Sequence, residues 1–416
     1  MQKKGWCSMS PRPIVLDPDV QSLQEEGLNV EVVQGHLLVH QVPYVNTDGK
    51  VARGIMVTDL SGNVGALGKP RDRQIWFSGE IPCYANGKPI RSLNCTEGRR
   101  ELWQGFTVDH RFSCKPMGQP DFPLTHSAKI RHYLALITPE AKVVEPEATP
   151  YVFEPVVSFD PEQVFNYWDT ASTRVGISAA TAKLAHFRVA IVGLGGTGSY
   201  VLDLMAKTPV REIHLFDGDQ FEQHSAFRAP GAASIDDIAV KMQKVEYFAA
   251  IYGRMHKGIH PHPSYIGDES LSELDNFDFV FLCVDKGGVR RMLGEYLIAC
   301  GTPFVDTGME LTMLPEANAI LGTCRATLST ARKSDHFARC APQGDAPGDD
   351  LYRSNIQVAD MNMLNAVLAV QLWKKHCTFY LDHWQPHHHT YSIDSASLTR
   401  GETLDLPHHE DQTDQA

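Results

Sequence analysis

The spacing of apolar and polar positions changes part-way along the chain. Residues 1 to 150 carry short alternating or apolar runs, "VEVVQGHLLVHQVPYV", "GIMVTDLSGN", "RQIWFSGEIPCYANGKPI" and "HYLALITPE", separated by Asn, Gly, Asp and Pro. Runs of this length predict strands, and Asn86-Gly87 has the chemistry of a hairpin turn. A β-rich domain is therefore expected over 1–150. "EPEATPYVFEP" is dense in proline and acid, which opposes regular structure and predicts a linker. From 160 to 400 strand patterns alternate with longer helical ones, the signature of an α/β domain with a mostly parallel sheet. Inside it, the polar stretch around 325–355 predicts a long loop. "NIQVADMNMLNAVLAVQLWKK" has helical spacing with a basic end, and "HHTYSIDSASL" predicts a late strand. Residues 401–416 are polar and acidic and are expected to be a disordered tail.

Composition removes several classes of function. A chain of 416 residues with 43% hydrophobic positions is long enough for two or three domains with real cores. A formal charge of -12 disfavours a general nucleic-acid binder, because phosphate neutralisation needs a basic surface. No apolar run approaches the roughly 18 residues of a membrane span, and no apolar stretch follows the first basic residues. The nine cysteines never form a CxxC pair, so neither a disulfide framework nor a paired-cysteine zinc site is indicated. Cytoplasmic location with reduced thiols is the expectation.

The chemistry concentrates after "FRVAIVG". Gly193, Gly195, Gly196 and Gly198 sit between that strand and the helix "TGSYVLDLMAK", where a glycine backbone can approach a phosphate and a helix N-terminus supplies free N–H groups. Asp217 and Asp219 follow the next strand, and the first is placed to accept ribose hydroxyls. This unit alone suits a nicotinamide-dependent oxidoreductase as well as an ATP enzyme. Arg228, Lys241 and Asp285 turn the balance: two cations suit the charge that builds on phosphates, and a carboxylate at a strand end suits Mg²⁺.

In this order the residues resemble the ThiF/MoeB/ubiquitin-activating superfamily, which implies a Rossmann-like adenylation domain. The resemblance covers about 165 to 395. It implies ATP and Mg²⁺, a turn matching "GLGGTG", a ribose acid at Asp217, an arginine at Arg228, a lysine at Lys241 and a magnesium aspartate at Asp285. Ser225 stands where many members have Asn, and Arg174 is the candidate for the arginine that members contribute across a dimer interface. The resemblance also implies adenylation of the C-terminal glycine of a ubiquitin-like protein, a homodimer, and a conjugating-enzyme partner. The first 150 residues look like an accessory domain fused to bacterial ThiF-like proteins.

Thioester capture needs an exposed, reactive thiol. Cys283 and Cys300 are expected in the core and Cys324 partly buried. Cys340, in "RKSDHFARCAPQGDAPGDD", is the candidate, because Arg332, His336 and Arg339 are close enough in sequence to lower its pKa. The family places the catalytic cysteine of ubiquitin-activating enzymes in this segment. His387, His388, His389, His408 and His409 are read as solvated rather than zinc-binding. The rivals are an adenylyltransferase without a thioester step, serving sulfur transfer or a small-molecule or peptide acid, and a non-catalytic nucleotide-binding scaffold.

Overall fold

The computed structural model describes residues 18–60, 69–115, 125–151, 163–167, 169, 171–172, 177–344 and 356–403. The chain divides into two compact units, Met1–Ala179 and Ala180–Ala416.

The first unit contains α1 (Pro18–Glu25), β1 (Val30–Val33), β2 (His36–Val45), β3 (Val51–Asp59), β4 (Ile75–Ser78), β5 (Thr96–Trp103), β6 (Phe106–Phe112) and α2 (His126–Val144). The strands form one antiparallel sheet in the order β1-β2-β3-β4-β6-β5. The stretch "HYLALITPE", expected to be strand, lies inside helix α2. Thr125 caps that helix by accepting from Ala128 N at 3.1 Å. Ile130, Tyr133, Leu134, Ile137 and Ala141 are buried at helical spacing, most of them against the β2 residues Leu37, Val39 and Val42. A nine-residue window hid this period; the cap and the full nineteen residues reveal it.

The second unit runs α3 (Ser178–Ala182), β7 (Arg188–Val192), α4 (Gly196–Met205), β8 (Glu212–Phe216), α5 (Gln223–Ala226), α6 (Ile235–Ala239), α7 (Lys244–Tyr252) and β9 (Ile259–His262). It continues with β10 (Phe279–Leu282), α8 (Gly287–Cys300), β11 (Phe304–Leu314), β12 (Ala319–Ser329), α9 (Phe337–Cys340), α10 (Ala359–His376), β13 (Pro386–Ser392) and β14 (Ser397–Thr403). The sheet order is β14-β13-β12-β11-β10-β7-β8-β9. Strands β11, β10, β7, β8 and β9 are parallel, and β12, β13 and β14 extend the sheet antiparallel. Strand β10 is buried at all four positions, as a central parallel strand covered on both faces must be. Its Phe279 and Phe281 join α4, α7 and α10 on one side. Val280 and Leu282 join Leu293 and Leu297 of α8 on the other.

Residues 325–329, within the stretch expected as loop, continue strand β12, and residues 401–403, within the expected tail, end strand β14. The rest of that tail, 404–416, with His408 and His409, lies outside the described residues, as do 345–355 and Arg174. The apolar residues of α10, among them Leu368, Leu372 and Trp373, are buried in this chain's own core. They supply no argument for a dimer.

Candidate nucleotide site

The sheet order places a switch point at β7: the chain steps outward to β8 and β9, then returns to lay β10 on the other side of β7. Open α/β sheets bind ligands in the crevice at such a point, outside the carboxyl ends of the strands. Here the crevice is walled by the turn after β7 and the loop after β10. Gly193 adopts φ +90°, and a Cβ on it would stand 2.7 Å from the Cys283 carbonyl oxygen, so no side chain fits between the two walls. A Cβ on Gly198 would collide with the Gly193 carbonyl. At Gly195, by contrast, a Cβ would meet nothing within 4 Å. Gly195 is the N-cap of α4, so open space lies where the helix's first N–H groups have no side-chain cap. Beside the turn, Thr197 donates from Oγ1 to Asn362 Oδ1 at 3.1 Å, tying α4 to α10.

Asp217 is 6% exposed and holds the turn: its Oδ2 accepts from Leu194 N at 2.7 Å and its Oδ1 from Asp219 N at 2.8 Å. Asp219 is the accessible acid. It accepts from Lys244 Nζ at 2.6 Å and from the Tyr265 hydroxyl. Burial works against its charge, yet the bonds from Lys244 and Tyr265 hold its carboxyl below the usual range. The same carboxylate pushes the Tyr265 phenol up to about 12.

The cation that reaches the acids is Lys244, not Lys241. Lys241 is exposed, has φ +52°, and makes no ion pair among the described residues. Lys244 is 5% exposed and lies 3.8 Å from Asp217 as well as bonding Asp219. Sequence did hold a signal. Lys244 is the first residue of α7, and a cation at the positive end of a helix dipole is unfavourable unless carboxylates face it.

Ser225 is buried and its Oγ has no hydrogen-bond partner, and the Nε of Arg228 is likewise buried and unpartnered among the described residues. A buried polar group without a partner costs about 1–3 kcal/mol, and these two lie within three residues of each other. Asp285 is exposed, three residues beyond β10. The loop bearing it is anchored by Arg290, which donates to Val284 O at 2.7 Å, Pro342 O at 2.9 Å and Asp306 Oδ1 at 2.9 Å. Asp306, fully buried, also binds Arg325 at 2.7 Å. Neither Arg290 nor Asp306 stands out in the sequence.

The Arg290 bond to Pro342 brings the segment after Cys340 to the first turns of α8. The thiol itself differs from expectation. Burial and the Glu402 carboxylate, 3.9 Å from Sγ, push the Cys340 thiol up rather than down. Arg339 is spent on Glu402 at 3.1 Å, and His336 is buried with Nε2 against Leu328 O at 2.9 Å. Burial pushes that imidazole's pKa down. Elsewhere, burial pushes Cys283 to about 12 and Cys324 to about 11. Cys300, expected in the core, is exposed at the end of α8, roughly 20 Å along that helix from its start beside the crevice. His387, His388 and His389 fall on successive positions of β13 and so alternate between faces of the sheet. His387 and His389 are buried, not solvated as expected.

A family model described as "ThiF family" matches residues 170–413, and one described as "Domain of unknown function (DUF6791)" matches 18–170. Ubiquitin-like modifier-activating enzyme 5 of Xenopus laevis is 27% identical over 125 residues, 29% of each chain. The protein of the same name from Gallus gallus is 26% identical over 194 residues, 41% of this chain and 44% of that one. Adenylyltransferase and sulfurtransferase UBA4 of Yarrowia lipolytica is 26% identical over 122 residues, 29% of this chain and 30% of that one. The matches span less than half the length of these relatives. Among solved structures, E. coli MccB with ATP has 18% identity and a TM-score of 0.42, covering 54% of this chain and 66% of that one. PaaA has 17% identity and a TM-score of 0.43, covering 55% and 68%.

Proposed function

Because this chain belongs to the ThiF family, we propose that it adenylates the C-terminal glycine carboxylate of a ubiquitin-like protein at the crevice between β7 and β10. The observation that carries the reading is the open space at Gly195 on an uncapped helix start, with buried Lys244 paired to the accessible Asp219, and the unpartnered Ser225 Oγ and Arg228 Nε nearby in the chain. ATP is the substrate whose phosphates suit helix N–H groups and two cations. Asp217, which keeps lone pairs after holding the turn, accepts the ribose hydroxyls. Asp285 is the residue that would hold Mg²⁺, which would neutralise phosphate charge. The carboxylate oxygen attacks the α-phosphorus, the bond to the β-phosphate oxygen breaks, and pyrophosphate leaves. The names of the curated relatives support a ubiquitin-like substrate. Exposed Phe227, Ile235 and Val240, around Arg228, offer apolar surface for a partner such as a second copy.

Capture of the acyl group on Cys340, releasing AMP, is the second step of this reading. The Glu402 contact favours instead a reaction that ends at the adenylate, because a thiol beside a carboxylate is a poor nucleophile at neutral pH.

The test is pyrophosphate exchange into ATP with ubiquitin-like proteins ending in glycine, alongside direct ATP titration. Lys244→Ala is expected to lower exchange by on the order of a hundredfold or more, and Lys241→Ala by less than about threefold. Tight NADH binding without ATP binding would overturn the reading, and equal losses in both variants would overturn the assignment of Lys244.

A further inference from the structure

Away from the crevice, β8 and β9 carry a second constellation on the outer edge of the sheet. The two strands are parallel with His214 opposite His260 and Phe216 opposite His262, so side chains at these positions and at Glu212 share one face. Glu212, His214 and His260 present ligand atoms that all lie within 4.8 Å of one another. We propose that Glu212, His214 and His260 form a zinc-class divalent metal site that clamps the short edge strand β9 to β8.

The donor set is right for that class, since two imidazoles and one carboxylate are hard-to-borderline ligands that zinc accepts. The spacing is nearly right as it stands. Tetrahedral bonds of about 2.0–2.1 Å require ligand atoms roughly 3.3 Å apart, and His214 Nε2 stands 3.2 Å from Glu212 Oε2. His260 is the exposed member, whose ring has room to close the third position. The surrounding groups are arranged as supports of ligands are. His262 Nε2 lies 2.9 Å from His214 Nδ1, which fixes the ring and leaves the opposite nitrogen toward Glu212. Arg188 Nε donates to Glu212 Oε2 at 2.6 Å and orients the carboxylate while leaving lone pairs unused. None of these residues belongs to the nucleotide crevice; with a water as the fourth ligand, the ion would join the two strands rather than take part in the chemistry at the crevice. Strand β9 has four residues and one neighbour, and a clamp there holds β8, whose far end carries Asp217.

The experiment titrates ZnCl₂ into the full chain after EDTA treatment and buffer exchange, by calorimetry and by thermal unfolding. One equivalent is expected to bind at micromolar free zinc and to raise Tm. His260→Ala, at an exposed position, should leave the metal-free Tm unchanged while weakening this equivalent at least tenfold and removing the zinc-dependent rise. Glu212→Gln should do the same to binding, and His262→Ala should weaken it about tenfold through loss of ring orientation. Zinc stoichiometry and Tm rise that are the same in His260→Ala as in the unaltered chain would overturn the proposal, as would no zinc bound at all.

Discussion

At Cys340 burial raises the thiol's pKa, and a residue sixty-two positions away raises it further. Arg332, His336 and Arg339 precede it closely, and by sequence they draw the proton off. In the folded chain Arg339 is bonded to Glu402, and Glu402 faces the sulfur. Replacing that carboxylate removes the negative charge facing the sulfur and leaves Arg339 with Asp335 as its remaining acid partner. Glu402→Gln is therefore expected to speed iodoacetamide alkylation of Cys340 at pH 7.5 several-fold, measured by mass spectrometry of the modified peptide. An unchanged or slower rate would show that Glu402 does not govern the thiol. Lys244 teaches the complementary lesson. The order of residues after the glycine turn leads to Lys241, whereas the position at the first turn of a helix, close to two acids, leads to Lys244. Residue type and order were legible; which of two lysines turns inward depends on where α7 begins.

At the scale of elements, the glycine turn separates a requirement of folding from one of binding. Gly198→Ala puts a methyl group into the Gly193 carbonyl, so α4 must shift against β7. It is expected to lower Tm by about 5 °C or more and to abolish ATP binding. Gly195→Ala points its methyl into open space with φ -68°, which alanine adopts freely. It should leave Tm within about 2 °C, because no contact is broken, yet lower ATP affinity tenfold or more by filling the phosphate's place. Calorimetric titration of both variants, with thermal melts, checks the pair; undiminished affinity in Gly195→Ala would mean that the turn holds no phosphate. The strand, turn, helix and strand from β7 to β8 could be read from sequence because their periodicity and glycines are local. Helix α2 could not, since its apolar period shows only over its full nineteen residues. The Arg290–Asp306–Arg325 cluster could not either, because its members lie on α8, β11 and β12 and meet only after the sheet has formed.

For the molecule as a whole, buried imidazoles make acid the vulnerable direction. His256 is fully buried with Nε2 against Val210 O at 2.8 Å, and His389 is 7% exposed; burial lowers each to about 4 from an ordinary 6.5. Between those values the unfolded chain binds protons that the folded chain refuses. Stability is therefore intact above pH 6.5 and is lost as pH falls toward 4, by up to about 3 kcal/mol for each histidine once both states are protonated. Denaturant melts between pH 7.5 and 4.5 should show unfolding free energy falling steadily, and His389→Leu should flatten the fall. A free energy independent of pH over that range would count against neutral burial of these rings.

The closeness of the Gly193 turn to the Cys283 carbonyl has a consequence in time as well as in space. The two walls come from strands that touch in the sheet but are made far apart in the chain, with β8 and β9 laid down between them. A growing polypeptide carries the turn, both acids and Lys244 long before the strand that closes the crevice exists. Until β10 slides in beside β7, one whole flank of the central strand, including its backbone N–H and C=O groups, has no partner. The nascent chain thus passes through an interval in which the open edge of β7, a place where another strand could pair, is also the edge of the candidate nucleotide crevice.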